Sequence, residues 1–107
     1  MSQLLSMRCD GDNPLLSDPE VQQYMQDINA WETSNDGSVI QRDFGFNNFD
    51  KTIAFVNALA WIANQENHHP DLEVGYKHCL VRYSTHSAGG LTIYDFICAA
   101  KINALVD

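Results

Sequence analysis

Apolar residues recur at helical spacing in three segments, and each segment follows a residue that favours a helix start. Ser17 and Glu20 form a capping box ahead of the first segment, and Asn47 or Asn48 precedes the second. Thr92, with Asp95 three residues later, precedes the third. The pattern therefore predicts three helices, with apolar positions at Val21, Tyr24, Met25 and Ile28, then from about 49 to about 65, then at Ile93, Phe96, Ile97, Ala100 and Ala104.

The second helix has the longest apolar pattern. We expect its buried stripe to comprise Phe49, Ile53, Val56, Ala60 and Ala63, widened by Phe55, Leu59 and Ile62. Trp61 points away from that stripe. An aromatic residue outside the core stripe often marks a contact with a partner, although solitary surface aromatics are also common.

Four extended segments lie between the helices. Segments 30–34 and 39–46 flank Asn35-Asp36-Gly37-Ser38, a typical hairpin turn, and segments 72–76 and 79–86 flank Lys77-His78. The order is α-β-β-α-β-β-α, which predicts an α+β fold with two layers: a four-stranded antiparallel sheet with the helices on one face. Arg42 shares a sheet face with Ile40 and Phe44, and we interpret it as an ion pair at the sheet margin.

The length of 107 residues suits one domain. Residues 1–16 show little periodicity, so we expect an N-terminal lead-in segment, partly mobile, followed by a single domain over 17–107. No basic region with an apolar core marks a signal peptide. The three cysteines, Cys9, Cys79 and Cys98, lack C-x-x-C spacing, which favours a reducing cytoplasm over a disulfide framework.

Charge excludes several partners. The formal net charge is −8, with only six Lys and Arg residues, and they are scattered. Phosphate neutralisation needs clustered basic residues, so we expect no direct nucleic acid ligand and no anionic membrane surface. No apolar run is long enough to span a bilayer.

Three of the four histidines, His68, His69 and His86, lie at the ends of the second predicted hairpin. Adjacent His68 and His69 diverge, and no H-x-H, H-x-x-x-H or C-x-x-C spacing accompanies them, so we expect no metal. Ser84 and Thr85 flank His86 without the glycine elbow of a nucleophile. Histidine exchanges protons near neutral pH, and three of them favour acid–base chemistry.

Three polar residues near this hairpin also have simple structural explanations. Asp95 is accounted for as a helix cap, and Glu66 as a solvated carboxylate at a helix end. We expect no functional role for His78, at the hairpin tip.

Asn67-His68-His69-Pro70-Asp71, Val74-x-Tyr76 and Thr85-His86-x-x-x-Gly90-Leu91-Thr92-x-x-Asp95 resemble the motifs of the pterin-4a-carbinolamine dehydratase family. The resemblance extends back through Trp31, Arg42-x-Phe44-x-Phe46 and 49–63, and covers roughly residues 28–103. It implies the fold predicted above and dehydration of 4a-hydroxytetrahydropterin to quinonoid dihydropterin, which recycles the tetrahydropterin of aromatic amino acid hydroxylases. It implies no metal and no cofactor, since the pterin is the substrate.

The resemblance also assigns site residues. It implies that His68, His69 and His86 are catalytic, and that Asp95, Pro70, Ser84 and Thr85 bind the substrate. The family often has a glutamate four residues before the first histidine, where this chain has Asn64. Whether Glu66 replaces that carboxylate is left open, as is which of His69 and His86 is the acid.

Two other functions fit the same resemblance. Animal members also act as dimerisation cofactors for a homeodomain transcription factor, and other members serve pathways such as molybdopterin metabolism. The sequence does not select the pterin side chain. Family members are dimers or tetramers, so we expect a homodimer or homotetramer here.

Overall fold

The computed structural model describes residues 3–107 and contains three helices and four strands. The helices are α1 (Asp18–Met25), α2 (Phe49–Glu66) and α3 (Ile93–Asn103). The strands are β1 (Glu32–Thr33), β2 (Ile40–Gly45), β3 (Asp71–Val74) and β4 (His78–Tyr83). Two short 3₁₀ turns add to these, Leu4–Ser6 and His86–Ala88. The predicted order and α+β class are confirmed. Residues 1 and 2 of the predicted lead-in segment lie outside the described residues.

The four strands form one antiparallel sheet in the order β1-β2-β4-β3, with β2 and β4 at its centre. Side chains of β4 alternate, and Cys79, Val81 and Tyr83 are fully buried on the face that carries the core. The same apolar cluster includes Phe55 of α2 and Phe96 of α3. The helices therefore cover this face of the sheet, and the central strand β4 packs against them.

Strand β4 ends sooner than predicted. It stops at Tyr83, and His86 lies in the following 3₁₀ turn rather than on the strand. Gly89 closes that turn with φ +79°, a conformation that suits a residue without Cβ, and its N–H donates to the carbonyls of Thr85 and His86. The turn therefore directs His86 away from the sheet ladder, and the prediction of a strand over 79–86 is wrong at its end.

The buried face of α2 also differs from the prediction. It comprises Thr52, Phe55, Leu59, Ala63 and Glu66, whereas Phe49 is 46% exposed and Ala60 is also exposed. The spacing of apolar residues does not predict this face, because two of its members, Thr52 and Glu66, are polar. The Thr52 hydroxyl lies 2.9 Å and 3.0 Å from the carbonyl oxygens of Asn48 and Tyr76, which satisfies it inside the protein. Trp61 is exposed, as expected.

Helix α3 is buried around most of its circumference rather than along a stripe. Cys98 and Ala99 are buried beside the predicted Phe96, Ile97 and Ala100, whereas Ala104 is exposed at the helix end. The extra cover comes from the N-terminal turn Leu4–Ser6, which contacts α3. The capping box of Thr92 and Asp95 forms as predicted.

Residues 3–16 lie against the helical layer. Lys101 Nζ donates to the Leu5 carbonyl over 2.8 Å, and the Tyr94 hydroxyl donates to the Gly11 carbonyl over 2.5 Å. The mobility of this segment in solution stays a prediction.

Arg42 forms an ion pair, as expected, although it lies on the central strand β2 rather than at the sheet margin. It pairs with Asp107 over 3.1 Å and bonds Asn103 over 2.7 Å. In residues 3–107 no helix combines the length and apolar character needed to cross a bilayer.

Candidate active site

His68 is fixed where the chain leaves α2. Asn67 ends the helix with φ +52°, in the left-handed region, and the His68 N–H donates to the Ala63 carbonyl over 3.1 Å. Pro70 prevents further helix because it lacks an N–H, and β3 begins at the next residue. The end of α2 therefore places His68 and His69 next to each other, with their side chains pointing in different directions.

The His68 ring contacts a fully buried carboxylate. His68 Nε2 lies 2.6 Å from Asp95 Oδ1, and Asp95 is 0% exposed. The other oxygen, Oδ2, accepts from the Thr92 N–H and from the Thr85 hydroxyl, both over 2.9 Å. Because a carboxylate only accepts, we assign the proton of this hydrogen bond to His68 Nε2, and Nδ1 is the ring nitrogen without this contact.

Asp95 and Thr85 are hydrogen-bonded to each other inside the protein. Both are buried, at 0% and 5% exposure, and the Thr85 hydroxyl also lies 3.0 Å from that of Thr92. The resemblance implies that both bind the substrate, and this stays a prediction. In the structure their polar side-chain atoms hydrogen-bond within the protein, and Asp95 contacts His68 directly.

His69 is exposed, and its Nε2 lies 3.0 Å from Asn64 Oδ1. Asn64, at the position where the family often has glutamate, thus contacts His69 itself. Glu66 does not replace that carboxylate. It accepts from the Cys9 N–H over 2.8 Å and from Arg8 Nε over 2.9 Å, and is only 5% exposed. The expectation of a solvated Glu66 is wrong, because the N-terminal segment covers it.

His86 and Ser84 open onto a cavity of about 310 Å³. The size is sufficient for a small heterocycle. Ser84 donates to the Ser38 carbonyl over 2.8 Å, so this hydroxyl holds the β1–β2 loop against the cavity. The full lining is Ser38, Val39, Asp71, Arg82, Tyr83, Ser84, His86, Gly89 and Gly90.

The predicted residues thus fall into three groups. His68, Asp95 and Thr85 form one hydrogen-bonded network. Ser84 and His86 line the cavity, and His69 lies with Asn64 at the end of α2. Neither His68 nor His69 is among the cavity lining, and Pro70 is half-buried between His69 and β3.

Sequence reasoning missed Tyr83 as a site residue. Its ring stacks on the His68 ring, with centroids 5.1 Å apart and planes 17° apart, and its hydroxyl donates to the His68 carbonyl over 3.0 Å. Burial, as the largest effect, raises the pKa of Tyr83, so the phenol stays a neutral donor. The alternation of buried and exposed residues along β4 accounts for the inward direction of Tyr83, but it does not indicate which side chain Tyr83 contacts.

Two charged residues of the cavity were also missed. Asp71 lies opposite Arg82 in the β3–β4 register, and Arg82 pairs with Glu73. His78, which was predicted to be idle, lies 2.9 Å from Asp43 across β2 and β4, outside the cavity lining.

Residues 3–107 include no cluster of three or more His, Cys, Asp or Glu side chains suited to holding a metal. Metal independence of the activity stays a prediction.

Comparisons with known proteins agree with these motifs. The sequence profile described as "Pterin 4 alpha carbinolamine dehydratase" matches residues 14–105. A protein of Legionella pneumophila (strain Corby), provisionally named pterin-4-alpha-carbinolamine dehydratase, is 52% identical over 99 residues, 92% of this chain and 88% of its own. A provisionally named dehydratase of Chromobacterium violaceum is 50% identical over 105 residues, 95% of this chain and 94% of its own.

A solved structure shares the fold as well. A Brucella melitensis protein, described as a transcriptional coactivator/pterin dehydratase, superimposes with a TM-score of 0.83 at 28% identity, covering 86% of this chain and 98% of the other. With the profile matching most of the chain and relatives half identical, the chain belongs to the pterin 4 alpha carbinolamine dehydratase family.

Proposed function

We propose that this protein dehydrates 4a-hydroxytetrahydropterin to quinonoid dihydropterin by histidine acid–base catalysis, and so returns tetrahydropterin to use. The observation that carries the proposal is the pairing of His68 with the buried Asp95, two family motif residues that are distant in sequence. Structural histidines seldom need a fully buried carboxylate partner held by two further donors, whereas a ring that must present one chosen nitrogen does.

The reaction needs two proton transfers. The C4a–O bond breaks and the hydroxyl leaves as water after it accepts a proton. A ring nitrogen loses its proton, and its electron pair forms the new C=N bond. One acid and one base, each titrating near neutral pH, are sufficient for this exchange.

His69 and His86 suit these two roles. Both are exposed, so their rings can reach a ligand and exchange protons with water. His68 is half-buried and hydrogen-bonded, which suits orientation of the pterin through Nδ1. The acid is the histidine that donates a proton to the leaving hydroxyl, and the base is the one that accepts a proton from the ring nitrogen. The pH dependence of the rate in the two single variants can assign these roles to His69 and His86.

The direct test is a stopped-flow assay on 4a-hydroxytetrahydropterin generated in place, compared with the uncatalysed dehydration. We expect the purified protein to accelerate the reaction, and the variant His86→Ala to lose most of that acceleration. His78→Ala is the matched control, since His78 bonds Asp43 away from the cavity lining. A wild-type rate equal to the uncatalysed rate would contradict the proposal.

The same experiment separates the alternatives. A protein that binds dihydropterin, measured by calorimetry, without accelerating dehydration would belong to another pterin pathway. A protein that neither binds nor accelerates would act as a binding or dimerisation protein of the same fold.

A further inference from the structure

His68 is held by its backbone on both sides. Its N–H donates to the Ala63 carbonyl over 3.1 Å at the end of α2, and its carbonyl accepts the Tyr83 hydroxyl over 3.0 Å. Tyr83 belongs to β4, whose position in the sheet is set by pairing with both β2 and β3. The histidine is therefore tied to the helix through one backbone group and to the sheet through the other.

The His68 ring is held independently of its backbone. One face stacks on Tyr83 at 5.1 Å and 17°, and Tyr94 meets the ring edge-on at 5.9 Å and 72°. Asp95 takes Nε2, so rotation of the ring must break a 2.6 Å hydrogen bond and an aromatic contact together. The His68 side chain keeps 11% exposure, a small opening toward solvent.

Tyr83 both donates a hydrogen bond to the His68 backbone and stacks on the face of its ring. It is fully buried, and it is also part of the cavity wall. A fully buried side chain is closely packed by its neighbours, so its position follows that of β4, and His68 is held relative to the strand through it.

We propose that Tyr83 is a positioning residue for His68, with its hydroxyl fixing the histidine backbone and its ring fixing the imidazole plane. The expected effect on kcat rests on the proposed function. The expected effect on the orientation of the His68 ring does not, because it concerns the protein without substrate. By fixing the plane of the imidazole, Tyr83 keeps Nε2 directed at Asp95. Nδ1, on the opposite side of the ring, is then also held in a fixed orientation.

Two substitutions separate the two contacts. Tyr83→Phe keeps the ring and removes the hydroxyl bond, and Tyr83→Leu removes both. Misplacement of a reacting or orienting group by about 1 Å can cost on the order of 100-fold in rate, so we expect kcat to fall about 3–10-fold for Tyr83→Phe and about 100-fold for Tyr83→Leu. KM should change much less for Tyr83→Phe, because this variant keeps the ring that lines the cavity. Tyr24→Phe is the control: Tyr24 is a half-buried tyrosine whose ring contact is with Phe96.

A spectroscopic signature tests the inference without substrate. The short His68–Asp95 bond should give a downfield, exchange-protected Nε2–H resonance in the wild type, and ¹⁵N shifts of a single tautomer. We expect this signal to weaken in Tyr83→Phe, to disappear in Tyr83→Leu with both tautomers present, and to persist in Tyr24→Phe.

Each result decides the inference. An unchanged Nε2–H resonance and tautomer in folded Tyr83→Leu would overturn it, as would an unchanged spectrum in Tyr83→Phe if Tyr83→Leu fails to fold. Absence of dehydratase activity in the wild type would remove the proposed function, whereas the spectra would still determine whether Tyr83 holds His68.

Discussion

His68 shares Asp95 with the start of α3: the carboxylate that binds His68 Nε2 over 2.6 Å also accepts the Thr92 N–H over 2.9 Å. A capping residue normally contributes only to helix stability. Here the same side chain anchors a ring on the end of another helix. Capping of α3 and orientation of His68 are therefore coupled, and one substitution should affect both.

Replacement Asp95→Asn should expose this coupling. The amide can still accept one backbone hydrogen bond through its oxygen, but its NH₂ group cannot accept from His68 Nε2. We expect kcat to fall on the order of 100-fold and stability to fall by about 1–2 kcal/mol, as on loss of a cap or buried bond. The measurements are stopped-flow kinetics and urea unfolding. Glu20→Gln alters the equivalent capping box of α1 and should leave kcat unchanged.

Removal of either exposed histidine, His69 or His86, should lower the rate of dehydration. His69→Ala and His86→Ala delete the candidate acid and base, and losing a positioned proton donor or acceptor costs about 10²-fold or more. Initial rates of dehydration under saturating substrate measure the effect, with His78→Ala as the control. If neither variant slows turnover, the two residues have no place in the mechanism.

Activity should not depend on a metal. The diverging side chains of His68 and His69, one bonded to Asp95 and the other to Asn64, do not converge on a common point. Full activity after exhaustive chelation is the expected result. Stoichiometric zinc in the purified protein, lost together with activity, would contradict this prediction.

The protein should form a homodimer or a homotetramer. Strands β1 and β3 are the edges of the sheet, and unpaired edges favour pairing with another chain. Trp61 and Tyr76 are large side chains with 67% and 66% exposure, which a second copy could cover. Sedimentation at micromolar concentration is the measurement. A mass near the 12.0 kDa of one chain would refute the prediction.

Stability should decline at alkaline pH. Burial, as the largest effect, raises the pKa of Tyr83, and the hydrogen bond with Cys98, followed by burial, raises the pKa of Cys9. Above the pKa values of the unfolded chain, about 8.5 for Cys and 10 for Tyr, the unfolded state loses protons that the folded state retains. This stability is therefore complete at neutral pH and is lost as pH rises.

Urea unfolding between pH 7 and 11 measures this decline. The contribution of Tyr83 should approach a slope of about 1.4 kcal/mol per pH unit above pH 10. Tyr83→Phe removes the phenol and should give a shallower decline. A free energy of unfolding that stays constant to pH 11 would show that Tyr83 and Cys9 ionise equally in both states.

Local rules predicted the helix starts well. Ser17 with Glu20, and Thr92 with Asp95, cap α1 and α3 as their spacing indicates, because capping depends on residues within one turn. The face of α2 was not predictable in this way. Thr52 and Glu66 are buried only because distant groups satisfy them, the Tyr76 carbonyl for one and Arg8 for the other.

The sequence indicates candidate residues for the site, whose roles stay predictions, but it does not indicate their contacts. His68, His69 and His86 are visible in the sequence as a motif, whereas the stacking of His68 on Tyr83 depends on how β4 lies beneath the end of α2. The length of β4 also depended on the left-handed Gly89, which turns His86 out of the strand. Contacts between residues that are far apart in the sequence cannot be predicted from the periodicity of apolar and polar residues.

The contact of Glu66 with Arg8 and the Cys9 N–H has a consequence for the order of folding. Glu66 lies 58 and 57 residues from these partners, and Cys9 Sγ lies 3.8 Å from the sulfur of Cys98, 89 residues away. Residues 8 and 9 are therefore synthesised well before the parts of α2 and α3 that they contact. The contact between Cys9 and Cys98 cannot form until synthesis has passed Cys98, so the cover of the N-terminal segment over the end of α2 that presents His68 depends on contacts of long sequence separation, which form slowly.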